Sequence, residues 1–452
     1  MEISNALARK GIYYWEYRQE ESDSETIFAW NKRIDEISSA KKKSHSIRAL
    51  IKNKWVFASS DNDDIKELIE KVLKAGKSIS RYDCIKYSIK RMPAIKDKKT
   101  VAMKKNPADV SFDDKRRLLL SLSRKGLSEK NIKSMQVSYS HVNKKKYFEN
   151  SEGSSIHQNL VYTRFLLSAT AMSAGRTEDY IEAYGEQAGY EVLDKIYNKY
   201  DECVQNSRRL LKARSIKAGN YPVIIEGDLA SVFVHEALGH ASEADHIESK
   251  YSCLIGKEGR RIAPKFLNIY DDPTIKGLWG SYFYDDEGVK ARKTIIIKEG
   301  IMNSFLHSRE TSSKYKKELT ANSRAESPHS IPLVRMSNTI MGKGDYKKEE
   351  LFSDIKNGVY LVGSKGGQVN PFNGNFQFAA SKGYIVKNGE IKDMLREVSL
   401  AGNTLDILTR IRKVANEFDE PFVGHCGKGG QHVPVIGMCP SIMIEPASVG
   451  GR

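Results

Sequence analysis

The chain predicts an α+β fold: a mixed N-terminal domain, then a largely antiparallel, β-rich C-terminal domain carrying a helix with two histidines. Three observations predict it. Short period-two segments alternate with amphipathic helical ones through the first third. Beyond the middle of the chain, glycine-centred hairpin turns separate short apolar runs. Between these regions a strand-like run leads directly into the histidine-bearing helix.

In order, residues 12–18 and 26–30 read as strands, with the acidic stretch 20–24 as the turn between them. Residues 46–58 read as a strand pair about Lys52-Asn53-Lys54. Residues 61–75 read as a helix with Ile65, Leu68, Ile69 and Val72 on one stripe and Gly76 as its stop. Residues 93–115 are polar and contain Pro93 and Pro107, which marks a subdomain linker inside an N-terminal domain of residues 1–218. Residues 136–170 read as β-rich, and 191–214 as a long helix ended before Gly219-Asn220. The second domain, 219–452, is strand-rich after its histidine helix. Lys298-Glu299-Gly300 and Lys387-Asn388-Gly389-Glu390 are its hairpin turns, entered by strands at 292–298 and 383–387. Gly366-Gly367-Gln368-Val369-Asn370 lacks both the P-loop lysine and the dinucleotide spacing, so it does not read as a phosphate site. No internal repeat or low-complexity tract stands out.

Composition sets outer bounds. With 40% hydrophobic residues in 452, the chain can build folded cores in two or three domains. No apolar run approaches the ~20 residues that span a bilayer, and the first residues, Met1-Glu2-Ile3-Ser4-Asn5, carry no signal-peptide pattern. A soluble, cytoplasmic protein without membrane association is the expectation. The five scattered cysteines (Cys84, Cys203, Cys253, Cys426 and Cys439) form no disulfide framework and fit a reducing compartment. The net charge is +16, and residues 1–150 hold 34 Lys and Arg against 20 Asp and Glu, so +14 of it lies in the N-terminal third. Runs at Lys41-Lys42-Lys43, Lys115-Arg116-Arg117 and Lys144-Lys145-Lys146 fit either a nucleic-acid face or a solvated exterior. With no zinc finger, RRM or other binding motif beside them, the solvated exterior is the better reading.

The chemistry sits in two islands. Val223-Ile224-Ile225-Glu226 reads as a strand, Asp228 as an N-cap, and Leu229, Val232, Phe233 and Leu238 recur with helical period. On that helix lies His235-Glu236-Ala237-Leu238-Gly239-His240. Histidines four apart, as in HExxH, stand about 40° apart around a helix, whereas five apart gives roughly 140°. Both rings reach one metal only if the helix winds loosely, as in a π-bulge, or breaks before His240. Gly239, which tolerates unusual dihedrals, is the place for that distortion. The six residues alone equally suit an ordinary helix with one surface and one core histidine; the strand-to-helix setting favours a site.

The second island, Gly424-His425-Cys426-Gly427-Lys428-Gly429-Gly430-Gln431, supplies a third donor. A lone cysteine is most often a buried apolar thiol, and His246, His425, His432 and Cys439 compete for the role. The glycines flanking Cys426 allow close backbone approach and favour it. His235, His240 and Cys426 make a nitrogen–sulfur donor set that prefers Zn2+, with the fourth position open to water as in catalytic sites. Glu236 is the expected general base, taking a proton from that water and delivering it to the leaving amine. Glu243 and Asp245 either orient a ligand imidazole or end the helix in solvent.

The block His235 to Asp245 is followed by Asp271-Asp272-Pro273-Thr274, Gly280-Ser281-Tyr282, Asp285-Asp286-Glu287-Gly288-Val289, Phe305-Leu306-His307-Ser308-Arg309 and Arg335-Met336-Ser337-Asn338-Thr339. Gly366-Gly367-Gln368-Val369, Gly402-Asn403-Thr404, the cysteine island and Val449-Gly450-Gly451 complete the series. In these blocks the chain resembles the TldD/PmbA family, metallopeptidases once described as modulators of DNA gyrase. The resemblance covers nearly the whole chain and is strongest over 221–452. It implies the same α+β fold, zinc held by His235, His240 and Cys426, and cleavage of unfolded proteins or short linear peptides. Because both histidines, the glutamate and the cysteine are kept, it implies the catalytic TldD branch. It also implies a metal-free TldE/PmbA-like subunit as heterodimer partner, with a homodimer as the alternative. One departure is Ala321-Asn322-Ser323-Arg324, where the family usually shows Gly-Asn-Gly-Arg. The expected function is a zinc-dependent peptidase. The contrasting reading is a nucleic-acid-associated regulator that uses the basic N-terminal third and keeps zinc for structure alone.

Overall fold

The computed structural model describes residues 3, 6–7, 12–79 and 87–451. Cys84 and the terminal residues Met1, Glu2, Ser4 and Asn5 lie outside the described residues. The architecture is α+β and rich in strand, as expected.

Seven strands build the first sheet: β1 (Tyr14–Trp30), β2 (Arg33–Ile51), β3 (Lys54–Ser60), β4 (Lys96–Thr100), β5 (Ile132–Asn150), β6 (Ser155–Ser173) and β7 (Arg176–Glu186). Their order is β3-β2-β1-β5-β6-β4, with β7 also on β6. All pairings are antiparallel except β4 with β6. The acidic stretch 20–24 is therefore no turn but the middle of one 17-residue strand. Its register explains the error. Glu21 and Asp23 stand opposite Lys43 and Lys41 on β2, and Glu20 and Glu21 opposite Lys146 and Lys145 on β5. Opposite charges across a ladder favour pairing, and this overrides the local turn signal of the acidic run. The strand pair about Lys52-Asn53 is present, both residues taking positive φ in the turn.

Helices Phe112–Ser128 and Ile196–Leu210 pack on this sheet, Leu119, Leu122, Val204 and Tyr200 meeting Val137, Phe165 and Leu167. Residues 93–115 thus hold strand β4 and the start of a helix. The helix Ile65–Ile79 runs through Gly76 rather than stopping there. A Cβ at Gly76 would lie 2.3 Å from Ile51 Cδ1, so the glycine admits close approach of the helix to β2.

The C-terminal region holds a nine-stranded and a six-stranded sheet. Strand β8 (Gly219–Ile225) lies inside the larger one, antiparallel to Ile442–Gly450 and parallel to Asn357–Val362. The smaller one ends in the hairpin Phe422–Lys428/Gln431–Met438, with Phe422–Lys428 at its edge. The helix after β8 is sandwiched between the two sheets, and Leu229, Val232, Phe233, Ala237 and Leu238 join the largest apolar core. Both expected hairpin turns are present, with Glu299, Gly300, Asn388 and Gly389 at positive φ.

A buried ionic network ties the first sheet to the second half. Arg309, 1% exposed, donates to Tyr14 Oη (2.8 Å), Glu152 Oε2 (2.6 Å) and the Lys90 carbonyl (3.0 Å). Glu287 accepts from the Arg309 backbone (2.7 Å) and from Arg48 (2.5 Å). Among the described residues, no helix is long and apolar enough to cross a membrane.

Candidate metal centre

The histidine helix opens with Glu226 as its cap residue, not Asp228, which falls in the first turn. It begins as α-helix over Gly227–Phe233, becomes a π-turn over Val234–Gly239, and tightens to a 3₁₀ turn over His240–Ser242. The His240 N–H donates to the His235 carbonyl, the i→i+5 bond that defines the π-turn. This is the loosening that the five-residue spacing requires, and it brings both rings to one side at a centroid distance of 5.3 Å. Gly239 works differently from the expectation. Its φ −58° and ψ −55° are ordinary helical values. What matters is its missing side chain, because a Cβ would stand 1.9 Å from Met336 Sδ.

Cys426 arrives from the edge strand Phe422–Lys428. One ligand atom from each of His235, His240 and Cys426 lies within 4.8 Å of the others, and all three residues are buried. Cys426 Sγ stands 3.4 Å from His240 Nε2. Zinc–nitrogen and zinc–sulfur bonds at tetrahedral angles put such donors about 3.5 Å apart. Electrostatics point the same way. Burial acts against charge on all three groups, yet His240 and His235 hold the Cys426 thiol well below its usual range. Burial likewise opposes the protonated ring at His240, but Glu243 and the thiolate raise it well above an ordinary imidazole. Two rings and a thiolate that favour positive charge between them in a buried place fit a soft divalent cation.

The Glu236 carboxylate, 31% exposed, lies 3.8 Å from His240 Nε2 and faces the accessible side. Behind the cluster, Glu243 Oε2 sits 3.1 Å from His240 Nδ1. Burial would raise the Glu243 carboxyl, but Lys428 and His240 bring it down to about 2. Lys428 Nζ also meets both Asp245 oxygens at 2.8 Å. Glu243, Asp245 and His246 group tightly enough to hold an ion of their own, but the Lys428 ammonium already sits among the first two.

The competing donors stand elsewhere. His246 Nδ1 is 2.8 Å from the His240 carbonyl oxygen. His425, next along the strand, faces the opposite side against Trp279 and is pushed down to about 4 by burial and Arg164. His432 is exposed, and Cys439 is a buried thiol pushed up to about 12 by burial. Below Cys426, Arg335 donates to its carbonyl. Asn322 donates to the Arg335 carbonyl (3.0 Å) and to Asp271 (2.8 Å). Ala321 holds φ 62°, so this loop keeps a left-handed turn without the glycine usual there. Sequence reasoning assigned no task to Arg335 or Lys428. For Lys428 a signal existed: two residues beyond Cys426, it must share that side chain's face of the strand. A cavity of about 880 Å³ lies beyond the hairpin, lined by Arg164, Lys199, Asp228, Lys382 and His425, and reaches none of the three clustered ligands.

Three sequence models, of PmbA/TldA metallopeptidase domain 1, central domain and C-terminal domain, match residues 15–76, 105–211 and 218–451. The chain is 39% identical over 425 residues to a metalloprotease of Methanocaldococcus jannaschii, covering 93% of this chain and 94% of that one. It is 36% identical over 325 residues to a zinc metalloprotease TldD homolog of Saccharolobus solfataricus, covering 71% and 72%. The crystal structure of TldE from Thermococcus kodakarensis shares the fold, with a TM-score of 0.79, 20% identity and 100% of each chain covered.

Proposed function

The chain belongs to the PmbA/TldD metallopeptidase family, and on that premise we propose a zinc peptidase of unfolded proteins and short linear peptides. The observation that carries this reading is the buried convergence of two imidazoles and one thiolate, with Glu236 beside them at the accessible side. His235, His240 and Cys426 would hold the ion, whose chemistry is to polarise the scissile carbonyl and acidify water. Glu236 takes the proton from the attacking water and returns it to the leaving amine. Glu243 accepts from His240 Nδ1, which leaves Nε2 free as a donor toward the ion. Asp245 acts one step further back, through Lys428.

An edge strand that carries a ligand suits an extended substrate. Main-chain bonding to the open side of Phe422–Lys428 would select for unstructured chain and only weakly for sequence. A TldE-like subunit is the partner we infer, with self-association as the alternative. Four cysteines are free among the described residues, which supports a cytoplasmic setting. The nucleic-acid reading is not favoured: several basic-run lysines are engaged by acidic neighbours, as in Lys144–Glu20 (3.0 Å) and Lys146–Asp286 (2.6 Å).

Metal analysis beside a peptide-cleavage assay tests the assignment. Glu236→Gln should keep zinc and lose about 10²- to 10⁴-fold in rate. Cys426→Ser should lose both zinc and cleavage. Full activity in Glu236→Gln, or undiminished zinc in Cys426→Ser, removes that residue from its role.

A further inference from the structure

We propose that Lys428 is a positioning residue for the metal centre: its ammonium fixes Glu243 behind His240, so the strand that delivers Cys426 also sets the orientation of a second ligand. This rests on the zinc assignment above and extends it to a residue that touches neither ion nor substrate.

The geometry is specific. Lys428 Nζ lies 3.0 Å from Glu243 Oε2, 2.8 Å from each Asp245 oxygen and 2.9 Å from the Val334 carbonyl oxygen. The Lys428 side chain is 12% exposed and that of Glu243 fully buried. The Glu243 oxygen that meets Lys428 is the same one that faces His240 Nδ1 at 3.1 Å. A carboxylate that accepts at Nδ1 determines which ring nitrogen carries the proton and which way the ring points. The other nitrogen, Nε2, is the one 3.4 Å from Cys426 Sγ.

Two carboxylates share this one ammonium, that of Glu243 fully buried and that of Asp245 30% exposed. Without it they repel each other, and only the His240 and His246 rings, at 3.1 and 3.6 Å, still draw Glu243 toward the helix. Cys426 and Lys428 are two apart on a strand, so their side chains share a face. Docking of the Phe422–Lys428/Gln431–Met438 hairpin onto the helix therefore brings the thiolate and the countercharge together. Lys428 is a clamp between the hairpin and the helix, but a clamp that acts through Glu243 is distinguishable from one that merely holds the fold.

The test is zinc affinity, read by competition with a chromogenic chelator on the full chain. Lys428→Met should bind zinc about 10- to 100-fold more weakly, and Lys428→Arg should recover most of that loss. The double variant Lys428→Met/Glu243→Gln should be no weaker than Glu243→Gln alone, since the lysine works through that carboxylate. Lys428→Gln, one atom shorter but still a hydrogen-bond donor without the charge, is the second variant should Lys428→Met fail to fold. Wild-type zinc affinity in Lys428→Met or Lys428→Gln, or losses that add to that of Glu243→Gln, overturns this inference alone. A wild-type chain that takes up no zinc overturns it together with the proposed function.

Discussion

Lysines in two regions of this molecule meet opposite fates. On the first sheet, Lys41 faces Asp23 at 3.5 Å with 83% of one side chain and 52% of the other in solvent. In the Phe422–Lys428/Gln431–Met438 hairpin, Lys428 faces Glu243 at 3.0 Å with 12% and 0% exposed. Exposed pairs contribute about 0–1 kcal/mol, while removing one partner of a buried pair costs about 3–5. The +16 net charge therefore says little about function: the numerous charges lie where water screens them, and the few consequential ones are in the interior.

That contrast can be pressed in four places. The largest effect should come from Arg309→Ala, which takes the buried guanidinium from Glu152 and Tyr14 and leaves Glu152 with only the half-exposed Arg91 at 3.3 Å. We expect a loss of about 3–5 kcal/mol in denaturant unfolding, with zinc stoichiometry of the folded fraction unchanged. A loss under 1 kcal/mol would mean that burial is not what separates the two kinds of charge. Next, Gly239→Ala forces a methyl group against Met336 and should cost about 1–3 kcal/mol. Met336→Ala in the same chain should recover part of it; simple additivity would show the clash relieved elsewhere.

Acid comes third. His307 is 2% exposed and pushed down to about 4 by burial and by Lys317 and Lys90. Below pH 6.5 the unfolded chain takes up a proton that the folded ring refuses. The stability present at neutral pH is therefore lost as pH falls toward 4, by about 2 kcal/mol between pH 7 and 5. His307→Gln should flatten that part of the melting-temperature profile, and an unchanged profile would refute the assignment. The smallest effect belongs to Lys41→Gln, within about 0.5 kcal/mol of wild type and with zinc binding intact. A larger shift would give the exposed ladder a weight that its geometry does not justify.

Local signals made part of this legible in advance. Asn388-Gly389 and Glu299-Gly300 announce their hairpins because positive φ is a property of single residues and dipeptides. The histidine spacing announces the π-turn because helical phase is arithmetic. What stayed hidden depends on partners far along the chain. Residues 20–24 look like a turn until Lys41–Lys43 and Lys144–Lys146 are laid beside them. Gly76 looks like a stop until Ile51 is packed against it. Arg309 and Arg335 carry ordinary surface residue types, and nothing in their immediate neighbours shows that they end up enclosed, whereas Lys428 is betrayed only by sharing a strand face with Cys426.

The π-turn also constrains how many residues this helix can gain or lose. Removing one of the three residues between Glu236 and His240 would give four-residue spacing, and an ordinary α-turn would still bring the rings together. Because a π-turn is one extra residue taken up in an α-helix, that deletion would leave the following side chains in phase, and Glu243 would keep its place at His240 Nδ1, where it now sits at 3.1 Å. The one length change that the ring pair and the carboxylate behind it can both absorb is therefore the loss of the residue that the π-turn takes up.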